Sequence, residues 1–408
     1  MVRQTELPLL VRIVVFLLLG SLTSAISGEA FLSDADGMLA LKRKLETKLT
    51  DLRKTGGFPG ATFGFVLPDG RSGSVATGYS DVEKKISMQP NDKMLSASIG
   101  KSYVSAVMLQ LIQEGNASLD ERIDHWFRAE PWFHRLPNAS DITLRMLMNH
   151  TSGIPDHIEN RRFIAGRREA PDRFWSPQEL VATILDEPPL FPAGKGWAYS
   201  DTNYILVGMI IEKITHKSYY DELTTRILLP LRLDDSSPSN RRVLPGLVSG
   251  YTNPAGLYGL PEKACVDGKD VLNPQAEWTG GGLLSTSLDT ARWAKYLFGG
   301  KVLQPSSLRA MLSGVDKVDL PAHKYGLGVY IRTGEWGTSY GHGGDYYGFR
   351  SAVDYFPRYD LAVAIQLNTD DFGSDRQMHL ILDSYLDALA NIIIHEELTK
   401  NADWPHSN

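Results

Sequence analysis

A chain of 408 residues, 42% hydrophobic and 22% charged, has the make-up of a globular protein with a large core, in one elaborated domain or two. A formal net charge of −6, with no basic block or aromatic-basic stripe, argues against a nucleic-acid partner. One cysteine, Cys265, excludes an intramolecular disulfide, and a core of this size does not need one.

The first segment reads as targeting. Arg3 and Arg12 precede the apolar run from Ile13 to Leu19, and small residues follow up to Ala25. That is the pattern of a secretory signal peptide over residues 1–25, cleaved after Thr23-Ser24-Ala25, and it predicts a secreted or periplasmic protein. The run is short for a membrane span, an uncleaved anchor being the alternative, and no later stretch reaches spanning length. Asn116, Asn138 and Asn149 lie in Asn-x-Ser/Thr tripeptides, which matter only in a host that glycosylates.

Residues 36–54 carry Leu39, Leu41, Leu45, Leu49 and Leu52 among many charges, an amphipathic helix. Ala61 to Leu67, the Asp69-Gly70 turn and Ser74 to Tyr79 read as a β-hairpin. From Ser98 to about residue 300 the pattern is mainly helical with long loops. One loop, Ile158 to Trp175, holds five arginines, ordinarily a solvated surface; drawing in anionic wall fragments is the alternative. Strand patterns return at Tyr325–Ile331, Phe349–Phe356 and Leu361–Leu367, and a helix closes the chain from about Arg376 to Ile394. This order predicts an α+β fold: one antiparallel sheet flanked by N- and C-terminal helices, with a mainly helical region inserted. The sheet part covers about 31–95 and 301–397, the helical part about 96–300.

Three points along this order carry chemistry. Ser98-Ile99-Gly100-Lys101 is the sole Ser-x-x-Lys and precedes Val104, Val107, Met108, Leu111 and Ile112 at helical spacing. Lys101 then lies one turn from Ser98 on the same face, where a neutral amine reaches the hydroxyl at a helix N-terminus. A serine cap with a solvated lysine is the plainer alternative. Tyr199-Ser200-Asp201 opens the helical run Ile205–Ile214; capping explains Ser200 and Asp201 but not Tyr199. His342-Gly343-Gly344 lies between strand patterns and reads either as a site element or as a glycine-rich turn.

In this order the three resemble the serine β-lactamase and penicillin-binding protein-like family, in the branch of class C β-lactamases, D-alanyl-D-alanine carboxypeptidases, D-aminopeptidases and esterases. Further segments share the resemblance: Ile142–Leu147 into Asn149-His150-Thr151-Ser152-Gly153, Trp197–Tyr204 with Gly208 and Glu212, and Gly280–Thr286 with Asp289. Together they span roughly residues 38 to 395. The resemblance implies that Ser98 is a nucleophile forming an acyl-enzyme, with Lys101 and Tyr199 handling its proton and that of the leaving group. It leaves open which of the two takes the first proton. It places the oxyanion hole at the backbone N–H groups of Ser98 and Asp345, and Asp201, His342 and Gly344 beside the substrate. No cofactor or metal is implied, and the histidine spacing offers no metal motif.

Two departures bear on substrate. The family usually has Tyr-x-Asn where this chain has Asp201, an acceptor-only carboxylate that tends to keep Lys101 protonated. Asp201 thus either favours an amine-bearing substrate or holds Lys101. The third motif is His-x-Gly, not Lys-Thr-Gly. Arg332-Thr333-Gly334 is an alternative, but Gly348–Ala352, downstream of His342, matches the segment on the C-terminal side of the motif in relatives. Anchoring a substrate carboxylate then needs charge from Arg350 or a protonated His342. The expectation is a secreted serine hydrolase acting on a small-molecule or peptide substrate, peptidoglycan-derived fragments included. Its activity is most like a D-alanyl-D-alanine carboxypeptidase or D-amino-acid-specific peptidase, with esterase, β-lactamase and a non-catalytic ligand-binding relative as successive alternatives.

Overall fold

The computed structural model describes residues 36–253, 259–316, 323–371 and 375–398. The leader expected over 1–25 lies outside them, and among the described residues no helix is long and apolar enough to cross a membrane.

Nine strands of the described chain form one antiparallel sheet: β1 (Gly60–Val66), β2 (Ser72–Asp81), β3 (Ile86–Ser87), β4 (Val315–Asp316), β5 (His323–Tyr325), β6 (Tyr330–Gly334), β7 (Gly337–Tyr346), β8 (Phe349–Phe356) and β9 (Leu361–Leu367). Their order is β3-β2-β1-β9-β8-β7-β6-β5-β4. The join between the two ends of the chain is β1 against β9, with Phe63 opposite Ile365. Strands β1, β8 and β9 are buried at every position because both faces are covered, which is why they read as continuous apolar runs.

One face packs on α1 (residues 36–56) and the C-terminal helix Asp375–Ile393. Ala61, Phe63 and Phe65 meet Leu41, Leu45 and Leu49 from the first and Leu386 and Leu389 from the second. The stripe at i, i+4, i+8 excludes Leu39, which sits two residues off it and is exposed. The other face receives the helical region, including α2 (Gly100–Gln113), α3 (Asp201–Thr215) and α4 (Ser287–Phe298). Helix α4 comes down on β1 at Gly64, where an added Cβ would lie 2.5 Å from the Ser287 carbonyl oxygen and the Leu288 nitrogen.

Three sequence expectations change. The single strand expected over Tyr325–Ile331 is a hairpin: β5 ends at Tyr325, Gly328 turns at φ +73°, and Val329 leads into β6, with Gly326 N–H bonded to the Val329 carbonyl at 2.8 Å. Between β6 and β8 lies a ten-residue strand, β7, that the apolar pattern does not mark; it carries His342-Gly343-Gly344 in its body, as the family resemblance implies and not in the glycine-rich turn of the alternative. The arginine-rich stretch holds a helix, Arg161–Glu169, capped by the Asn160 side chain, and its Arg167 turns inward and is buried. Of the three glycosylation tripeptides, Asn116 is exposed, whereas Asn149 is buried and the Asn138 amide is engaged by the carbonyls of Ser152 and Phe191.

Candidate active site

Strand Met94–Leu95 delivers the chain to a tight 3-10 turn, Ala97–Ile99, that runs straight into α2. Ser98 sits in that turn, partly exposed, and does not cap the helix. Gly100 explains the closeness of the next wall: a Cβ there would collide with the backbone carbonyl of Gly281. One turn on, the side chain of Lys101 is fully buried and its Nζ donates to Ser98 Oγ at 3.0 Å. The same ammonium bonds the Gly280 carbonyl and pairs with the Asp201 carboxylate. Three acceptors around one ammonium satisfy its three N–H groups.

Tyr199 comes from the extended segment before α3. Its ring lies 4.9 Å from Lys101 Nζ and its hydroxyl faces Ser98. Burial, reinforced by the charge of Asp201, pushes the phenol well above its usual range, which favours its protonated form. Asp201 is the first residue of α3. Ser200 precedes it at the N-cap position, but its hydroxyl turns to the Pro155 carbonyl at 3.1 Å, so the capping explanation does not hold for this serine.

Strand β7 closes the opposite side. Ser351 of β8 reaches across it to the Ser96 carbonyl at 2.9 Å, and a Cβ on Gly344 would strike that same carbonyl. Gly344 thus lets the Gly343–Asp345 backbone lie beside the turn carrying Ser98. The Asp345 side chain points outward and is paired with Arg350. The guanidinium offered as an anchor for a carboxylate is therefore already neutralised. Arg332, start of the alternative third motif, is held by Asp354 and Asp387 on the far side of β7. His342 is buried at 4% exposure, with Nε2 2.9 Å from the Tyr325 hydroxyl and Nδ1 against the Gly343 carbonyl.

Sequence reading missed two acids behind Lys101. Asp156 accepts the backbone N–H of Asp201 and that of Ile158; burial, then the neighbouring Asp201 charge, raises it well above the carboxylate range. Glu277 precedes Gly280 by three residues, packs against Gly281, and is pushed up to about 8 by burial and then by Asp201. Each stands a few residues from a family-like segment, but a lone acid in a loop carries no periodic signal. Among the described residues no group of histidine, cysteine and acid side chains is arranged to hold a metal.

Known proteins resemble this chain in sequence and in fold. Residues 45–386 match the family described as Beta-lactamase. Penicillin-binding protein 4* of Bacillus subtilis (strain 168) is 29% identical over 176 residues, 43% of this chain and 37% of that protein. The chain thus spans well under half the length of such curated relatives. Among solved structures, a D-stereospecific amidohydrolase from Streptomyces sp. superposes with a TM-score of 0.73 at 26% identity, covering 88% of this chain and 99% of that one. D-amino acid amidase from Ochrobactrum anthropi SV3, complexed with L-phenylalanine, gives 0.72 at 27%, over 85% and 98%.

Proposed function

The chain belongs to the beta-lactamase family, and from that premise we propose that it is a serine hydrolase of small amides and peptides that carry a free amine on a D-configured acyl residue. The observation that carries the reading is Lys101 Nζ at 3.0 Å from Ser98 Oγ with three carboxyl groups, Asp201, Asp156 and Glu277, gathered behind it.

In this reading Ser98 Oγ attacks the substrate carbonyl and its proton passes to Lys101, whose own third proton moves onto Asp201. The tetrahedral oxyanion forms between the N–H groups of Ser98 and Asp345. Tyr199, still protonated, gives its proton to the departing nitrogen and recovers one from the water that releases the acyl group. Lys101 meanwhile returns a proton to the expelled Ser98 Oγ and takes back the one held by Asp201. Asp201 holds Lys101 and answers its charge. Burial and the Asp201 charge favour the protonated forms of Asp156 and Glu277, because a second and third negative charge are penalised there. A substrate ammonium reverses that penalty, so these acids suit a free amine and disfavour an acylated one. The D-amino-acid preference is argued from the two solved neighbours. A carboxypeptidase needs a cation for the terminal carboxylate, and Arg350 and Arg332 are both spent on acids, which favours the amidase and aminopeptidase side. Secretion remains part of the proposal, on the leader pattern alone.

The test is hydrolysis of D-alanine amide, its N-acetyl derivative and its L enantiomer by the mature protein and by Ser98→Ala. The expected result is turnover of the free D-amine, at least ten times slower turnover of the other two, and none by Ser98→Ala. Equal rates on the free and acetylated amides would remove the ammonium reading, and full activity of Ser98→Ala the serine mechanism.

A further inference from the structure

Strands β1 and β9 meet in the sheet, and each carries one polar side chain in an otherwise apolar run: Thr62 in the first, Gln366 in the second. The two stand directly opposite each other in the antiparallel pairing. Ser351 of β8 is next along the same row, and Gly344 of β7 completes it. Residues opposite one another across strands share a face, here the one turned toward the nucleophile. Ser351 Oγ donates to the Ser96 carbonyl at 2.9 Å, two residues before Ser98. Two residues along β1 on that face, Gly64 lies against Ser287 at the head of α4. The row therefore runs between the turn that carries Ser98 and the start of α4. Thr62 and Gln366 are fully buried, and Ser96 is 1% exposed. Yet Thr62 Oγ1, both polar atoms of the Gln366 amide and Ser96 Oγ have no hydrogen-bond partner among the described residues. Ser287 Oγ, equally buried, has none either.

We propose that Gln366 and Thr62 hold ordered water between the sheet and the Ala97–Ile99 turn, which makes Gln366 a positioning residue for the oxyanion hole. The proposal deepens the hydrolase reading and rests on it for its kinetic consequence. Burying a polar atom unanswered is costly, and apolar side chains occupy the other non-glycine positions of both strands without that cost. Such atoms, with no protein group to meet them, are what a buried water bonds to. The chemistry is matched: the amide both donates and accepts, and so do the hydroxyls of Thr62 and Ser96. The two oxyanion donors come from separate elements, the Ser98 N–H from the turn and the Asp345 N–H from β7. Their separation is set where the turn meets the sheet. There the Ser96 carbonyl takes the Ser351 hydroxyl and lies 2.2 Å from where a Cβ on Gly344 would stand. Water on the Gln366 amide supports that contact from β9, the strand beside Ser351. An apolar residue in its place leaves the turn braced by Ser351 alone.

The experiment is a high-resolution crystal structure of the protein and of Gln366→Met, which keeps the side chain's length and removes its polar atoms. The wild type is expected to show a buried water bonded to the Gln366 amide and to Thr62 or Ser96, and the variant to lack it. A dry site, or a Gln366 amide bonded directly to protein groups, overturns the proposal. On D-alanine amide, Gln366→Met should lower kcat about tenfold with little change in KM, the mark of a displaced oxyanion donor. An unchanged kcat in the folded variant overturns the positioning role. Thr62→Ser, which keeps the hydroxyl, should keep the water and the rate, whereas Thr62→Val should lose both in part. If Gln366→Met does not fold, the wild-type crystal decides the water, and equal rates in the two Thr62 variants overturn the positioning role. If the wild type turns over no amide, the hydrolase reading falls separately. The separation of the Ser98 and Asp345 nitrogens in the two crystals then judges the brace, and an unchanged separation overturns it.

Discussion

Ala97 holds φ at +48°, a conformation that costs an L-residue about 1–2 kcal/mol, immediately before Ser98. The turn is clamped from outside: the Gly281 backbone packs on Ala97, and Ser351 fixes the Ser96 carbonyl. Ala97→Gly is therefore expected to raise the urea midpoint by up to about 1 kcal/mol of stability, since strain relief exceeds the added chain entropy. It should also lower kcat, because the hydroxyl is then less firmly aimed; a faster enzyme would contradict this. Gly344→Ala asks the reverse question. The new Cβ drives β7 away from Ser96, and losing one oxyanion donor in comparable sites costs about 10²–10³ in kcat. Steady-state kinetics on the amide substrate, with KM changing less than kcat, would bear this out.

At the scale of elements, the head of α2 and the loop Gly280–Gly282 behave as one unit. Lys101 bonds the Gly280 carbonyl, and Gly100 touches Gly281. Gly100→Ala is expected to cost about 1–3 kcal/mol, the range for overpacking, together with most of the activity. Unfolding in denaturant at unchanged m, alongside the assay, checks both. The elements most legible in sequence are those with an unbroken apolar signal: β1, β8, β9, α1 and the run after Ser98. Strand β7 carries no apolar strand signal because Gly341, Gly343 and Gly344 interrupt any alternation, and Gly341 and Gly344 are where it approaches Asp354 and Ser96. The β5–β6 hairpin hides behind Leu327 and Val329, which are apolar and buried in its turn. Ser98, Lys101 and Tyr199 can be named because their types and order carry meaning. Asp156, Glu277 and Tyr325 join them only through the fold, from loops and a strand end far apart in sequence.

For the molecule as a whole, buried acids set the response to pH. Burial pushes Glu277 up to about 8 and Asp270 to about 7, against ordinary values near 4 in an unfolded chain. The folded state holds protons that the unfolded state has released, so stability declines as pH rises through this interval. His157 acts oppositely: burial lowers it to about 4, and its contribution is lost as pH falls below about 6.5. Only the acids act between pH 6.5 and 8. The thermal midpoint should therefore fall across that window, and Glu277→Gln with Asp270→Asn should flatten the fall. A midpoint that rises there would refute the assignment.

The pairing of β1 with β9 has a meaning in time. Synthesis delivers Ser98 and Lys101 early, but Asp345 follows roughly 250 residues later, tens of seconds at about 5–20 residues per second. Until β9 emerges, β1 has no partner on that edge, and until β7 emerges Ser98 has no facing wall. On the proposed reading, a growing chain would therefore be chemically silent, its site completed only when the final hundred or so residues close the sheet.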